Sequence, residues 1–402
     1  MSGFGPPGGN PFEGFPLFGD LARMFAGQGP VNWDVARQMA MWIATEGKPQ
    51  GNVEPMERIR LEELARVADL HVSDATGLST SISGGVLSVL PVSRGDWALH
   101  SLESYRPVLE RLATALARSE ESAEAGSGLG DLGAEFSADP MSGLMGNLGK
   151  VIRPVMLGLQ SGVMLGHLAR DSFGQYDLPL PRRPADQLLL IPANIDAFAS
   201  EWGLETDDLR MLVCVSEITH HAVLGRPHVR ARLLALLDDY VSRFQVDPDA
   251  VEASFSDIDL SDPGAVQKAL GRPETLLGIV QSPEQEVLRQ RIENLLTAVA
   301  GYVDHVLDSV GHGLIGSYER IMEAVRRRRA EASDGERFAA RLIGLEIGRA
   351  QFERGSTFVR GVVERAGDEG LRRLWHSERE LPTAAELDAP GLWLARIDLP
   401  DD

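Results

Sequence analysis

Cysteine is almost missing from these 402 residues: Cys214 stands alone, so no intrachain disulfide can staple the fold, and a reducing compartment suits the chain. It sits among apolar neighbours, which predicts a small core residue rather than a nucleophile. Lysine is nearly as scarce, confined to Lys48, Lys150 and Lys268. Positive charge is outnumbered, 39 Lys and Arg against 59 Asp and Glu, for a formal charge of -20. Such a chain lacks the basic face that replaces counterions on phosphates, so no nucleic acid is expected as a partner. An anionic membrane surface would repel it for the same reason. No apolar run reaches the roughly 20 residues of a membrane-spanning helix, and no charged-then-apolar leader opens the chain. The cytoplasm is the expected compartment. Strand signals are sparse as well, which leaves a mainly α protein with few short strands.

What is present is helical periodicity. Residues 1–30, rich in Gly, Pro and Phe, read as a disordered tail. A helical region follows over 31–118, with Asn32 as an N-cap, Pro55 opening a second helix, and a third kinked or restarted at Pro107. Residues 119–140, small and acidic, read as a flexible linker or loop. The remainder, 141–402, reads as a helical domain. It opens with a glycine-rich buried helical pair and has its best strand at Leu188–Ile191, before a short helix capped by Asn194. A helix over 206–224 follows, stopped by Gly225 and Pro227, and a long helix spans 283–310. The basic run Arg326–Arg329 closes another helix, where it is expected to complement the helix dipole.

The 206–224 helix contains Ser216-Glu217-Ile218-Thr219-His220, one residue away from HExxH. In a helical HExxH the two histidines lie four apart on one face and hold one zinc, while the glutamate takes a proton from the bound water. Here Glu217 stands in the base's place and His220 in the second ligand's place. Ser216, a poor zinc ligand, replaces the first histidine. His221 lies four residues from Glu217 and is expected to pair with it along one stripe. The long helix offers Asp304 and His305 as further candidate ligands.

SEITHHAVLGRPHVRARL, with PANIDAFASEWGL before it, resembles the actinobacterial zincin-like metallopeptidase family. FGDLARMFAGQGPVNWDVARQ, GQYDLPLP, GYVDHVLDSVG and GLWLARIDLP carry the resemblance across nearly the whole chain. It implies a zincin-like fold, zinc as cofactor, Glu217 as general base and His220 as ligand. It also places a glutamate ligand of the family near Ala300, so that Ser216 and Ala300 are both departed ligand positions.

Three functions are compatible with these residues. The first is a zincin-fold protein without zinc chemistry that binds a peptide or protein partner in the old cleft, and ligand count favours it. The second is an active zinc-dependent hydrolase using His220 with Asp304, His305 or His221. The third is a metal-free hydrolase built on Ser216, Glu217 and His220.

Overall fold

The computed structural model describes residues 29–126, 140–246, 279–280, 282–330, 333–343 and 348–400. The expected tail lies outside these residues up to position 28. Asn32 caps α1 (Trp33–Thr45), its side chain accepting the Val35 N–H at 3.1 Å. α2 (Pro55–Thr76) opens on a proline, where the missing N–H costs no hydrogen bond, and stops at Gly77 with φ +67°. α3 (Arg94–Gly126) passes through Pro107 as one helix. It also absorbs residues 119–126, which the sequence assigns to a linker; 127–139 lie outside the described residues.

The expected helical pair after position 140 is one helix, α4 (Pro140–Asp171). Its glycines do serve close packing, but against α1. A Cβ added at Gly158 or Gly162 would meet the Asn32 or Ala36 carbonyl oxygen of α1 at 2.2 or 2.5 Å. Spaced by four, they form a bare stripe against which α1 lies backbone to backbone.

β1 (Ser88–Pro91) pairs in parallel with β2 (Gln187–Leu190), Val89 opposite Leu188. The second strand is visible in the sequence within one residue. The first is four residues long and ends on a proline, too short to show alternation. α5 (Pro192–Trp202) follows, and Asn194 sits inside its first turn rather than at the cap. The Asn194 amide donates to the Ala169 and Ser172 carbonyls, while its oxygen accepts from Arg94 Nε, so it ties α3, α4 and α5 together.

α6 (Thr206–Leu224), the motif helix, has the predicted bounds. α7 (Pro227–Ser242) and the two-residue strands β3 (Gln245–Val246) and β4 (Ile279–Val280) lead to α8 (Pro283–Leu314). That helix opens with a Ser282–Gln285 capping box and runs one turn beyond the expected 310. α9 (Tyr318–Ala330), α10 (Asp334–Ile343), α11 (Arg349–Arg372), α12 (Ala384–Asp388) and α13 (Pro390–Ile397) complete the helices described here. α6 packs against α2, α5, α7 and α8 at once, so most of its residues are buried. Buried apolar residues from Val31 to Ile397 form one core. The mainly α expectation holds, and no described helix is long and apolar enough to cross a membrane.

Candidate functional site

Because α6 is surrounded, its polar residues must find partners inside the protein or face a cavity. Both happen. A cavity of about 480 Å³, within the usual range for ligand pockets, is lined by Ser216, Glu217 and His220 of α6 and by Ala300 of α8. The turn after α4 closes one side, through Phe173, Tyr176 and Asp177. Arg328 and Arg329, from the last turn of α9, and Phe352 of α11 close the other.

Glu217 is buried and its carboxyl group is occupied by backbone. Its Oε2 accepts the Gln175 N–H at 2.8 Å and the Tyr176 N–H at 2.9 Å, and Oε1 lies 3.2 Å from the Tyr176 nitrogen. Gly174 makes room for this arrangement, since a Cβ there would stand 2.5 Å from the Glu217 carboxyl carbon. Burial, with the Asp177 charge adding to it, pushes the Glu217 carboxyl up to about 8 against the pull of the two N–H donors. At neutral pH it is mostly protonated, which is the wrong state for taking a proton from water.

His220 donates from Nδ1 to the Ser216 carbonyl oxygen at 2.9 Å. A carbonyl can only accept, so this bond fixes the proton on Nδ1 and leaves Nε2 as a bare lone pair. Burial lowers its pKa to about 4 against that hydrogen bond, with the Arg329 charge adding to the fall, so the ring is neutral at pH 7. Tyr176 stacks on it at 5.9 Å between ring centroids and 15° between planes. The Ser216 hydroxyl lines the same cavity and has no protein partner among the described residues. His220 meets Ser216 only through the backbone carbonyl, and no hydrogen bond joins the Ser216 hydroxyl to the ring among the described residues, so no serine–histidine pair is assembled.

The expected Glu217–His221 pair does not form. Both residues reach across to the 173–177 turn instead, His221 through Nδ1 to the Tyr176 hydroxyl at 2.9 Å. The physical reason is that α6 is buried on that face, where a neighbouring turn offers better-directed partners than the helix's own side chains. Asp304, a candidate ligand, is held by Arg329 Nη1 at 2.7 Å. His305 points into a different groove, where Nε2 meets Asp368 at 3.0 Å. Cys214 is fully buried and its thiol is pushed up to about 12 by burial, as a core cysteine's should be.

The arginine run is also more than a dipole complement. Arg328 binds Asp177 through both terminal nitrogens at 3.2 Å and lies over the Phe173 ring, 3.8 Å from its centroid. Arg329 binds Asp304 and lies over Phe352 at 4.5 Å. The sequence showed the run but not its direction, because the partners Asp177 and Asp304 are distant in the chain. Asp177 itself, with Gly174 and Tyr176, stands in GQYDLPLP, a stretch whose chemistry is silent until the turn is seen. Its Oδ2 accepts the Phe173 and Gly174 N–H groups, so α6 and α9 both grip this turn.

The zincin-like metallopeptidase profile matches residues 31–394, which is most of the sequence. The chain belongs to the zincin-like metallopeptidase family. A crystal structure from Chloroflexus aurantiacus, described as a candidate hydrolase with a novel fold, shares 22% identity with this zincin-like chain. The two superpose with a TM-score of 0.59 over 92% of this chain and 100% of the other, a likeness of fold. No curated protein matches.

Family chemistry is typically zinc-dependent, and a catalytic zinc needs three protein side chains around an open position. In this zincin-like protein His220 Nε2 is a usable donor. Ser216 and Ala300 add no carboxylate or imidazole, Glu217, Asp304 and His305 are engaged elsewhere, and His221 does not line the cavity. Among the described residues no three His, Cys, Asp or Glu side chains are grouped as a metal would require. The described residues do not fit a catalytic zinc.

Proposed function

We propose that this zincin-like protein uses its cleft to bind a peptide or protein partner and carries out no zinc hydrolysis. The observation that carries this reading is the placement of Glu217. The residue that would activate water is spent on the amides of Gln175 and Tyr176 and is mostly neutral at pH 7. What remains is a cavity lined by apolar side chains together with charged and polar ones, which can hold both parts of an amphipathic ligand.

Metal analysis of protein purified without a histidine tag tests it. The expected outcome is substoichiometric zinc and a melting temperature unmoved by added zinc. Stoichiometric zinc that disappears in His220→Ala would overturn the reading in favour of a hydrolase with an unusual ligand set. Ser216→His combined with Ala300→Glu is the companion test. Both positions line the same cavity as His220, so gain of zinc binding in the double variant supports a cleft derived from a metal site.

A further inference from the structure

The polar groups in the cleft differ in how much of their hydrogen-bonding capacity is already used. Arg328 directs both terminal nitrogens to Asp177 and one of them also to the Asp171 carbonyl. Arg329 is held differently. Asp304 takes Nη1 with one oxygen, and the Phe352 ring supports one face of the guanidinium. The opposite edge, Nε and Nη2, has no protein partner among the described residues, yet neither nitrogen is sealed from solvent. Two parallel N–H donors of this kind match the two oxygens of a carboxylate. The guanidinium is anchored before any ligand arrives, which removes much of the ordering cost of binding.

His220 supplies the complementary group. Its Nε2 is a bare acceptor with no partner among the described residues, close enough to Arg329 for that charge to act on the ring. Apolar side chains, Leu296, Val299, Val325 and Phe352, line the same cavity. Arg328 is paired with Asp177 and Arg329 with Asp304, while Arg337, Asp171 and Glu336 also line the cavity, so its fixed charges are nearly balanced and the free edge of Arg329 suits a singly charged planar group better than a dianion.

We propose that the cleft captures a ligand carboxylate on the Nε–Nη2 edge of Arg329, while an adjacent N–H of the ligand donates to His220 Nε2. This rests on the reading of the cleft as a binding site and names its ligand class. A carboxylate one carbon away from an amide N–H is the end of a peptide or an N-acyl amino acid, and the apolar lining selects an apolar side chain between them.

Calorimetric titration of the full chain with N-acetyl-Ala-Ala-Leu as the free acid, the same peptide as its C-terminal amide, and N-acetyl-leucine tests the assignment. The free acid is expected to bind about ten- to a hundred-fold more tightly than the amide, the range of a charge-assisted hydrogen-bond pair. Arg329→Gln should erase that difference, and Arg329→Lys, which keeps charge but not the fork, should recover only part of it. The acid–amide comparison is made on the unaltered protein, so it stands even where a variant fails to fold. N-acetyl-leucine binding as tightly as the tripeptide acid supports the amino-acid derivative as ligand; tighter tripeptide binding supports the peptide end. Equal affinity for acid and amide overturns the carboxylate assignment and leaves a peptide cleft standing. No binding by any of the three overturns the peptide-binding reading and the assignment with it.

Discussion

Two sets of residues around the cleft present opposite economies of hydrogen bonding. In one set, Glu217, His221 and Asp177 are committed to the 173–177 turn or to Arg328. In the other set, Arg329 of α9 keeps an edge free and His220, itself on α6, keeps Nε2 unspent. Family membership alone would place the chemistry at the glutamate. The difference supports the proposed reading, in which the glutamate maintains the wall and recognition falls to Arg329 and His220.

That contrast can be broken by substitution. The largest effect is expected from Glu217→Ala, which strands two buried backbone N–H groups and should cost ~2–5 kcal/mol of folding stability by urea denaturation. Glu217→Gln retains an acceptor and should lose clearly less. A residue serving only as a catalytic base would instead tolerate both changes, and finding them equally benign would remove the clamp role. Next comes Gly174→Ala, whose Cβ intrudes on the Glu217 carboxyl and should cost ~1–3 kcal/mol as overpacking. Combined with Glu217→Ala it should cost less than the sum, because the clash partner is gone; strict additivity would place the two effects in separate structures.

The pH dependence of stability sharpens the same comparison. His220 and His221 have folded pKa values lowered to about 4 by burial, so the unfolded chain binds more protons and stability falls as pH drops from 6.5 toward 4. Glu217 has the opposite sign. Its folded value is raised to about 8, so its contribution is complete below 4.5 and is lost as pH rises toward 8. Two histidines outweigh one carboxyl on the acid side, and of these three groups only Glu217 acts above 6.5. These groups together place maximal stability near pH 6.5. Glu217→Gln should flatten the alkaline limb in thermal melts across pH 5–9, and an unchanged limb would show that another group causes it. The smallest effect is expected for Ser216→Ala. Its hydroxyl has no protein partner among the described residues, so stability should shift by less than about 0.5 kcal/mol.

Local signals made much of the fold legible. Asn32 as a cap, Pro55 and Pro283 as openers, and Gly225 with Pro227 as a stop act on neighbours within four residues, where sequence spacing and physical distance coincide. The glycines of α4 signal a close helix approach, and the structure has one, but the partner is α1, distant in the chain, and not a second helix within 140–171. The cleft was legible as a location, since Ser216, Glu217, His220 and Ala300 do share one cavity. The allegiance of each side chain was not. Glu217 chooses amides about forty positions earlier, Asp304 chooses an arginine on the next helix, and His305 turns toward Asp368 on α11. Helical spacing constrains which residues share a face; it carries no information about what lies opposite.

The single proton held on His220 Nδ1 by the Ser216 carbonyl has a spectroscopic consequence. With one tautomer enforced, the ring's two nitrogens have separate, unaveraged resonances, and the Nε2 signal reports whatever enters the cavity. In a chain with nine histidines, isotope labelling of that ring turns the cleft into its own sensor, shifting when a donor arrives and moving far more if a metal ever does.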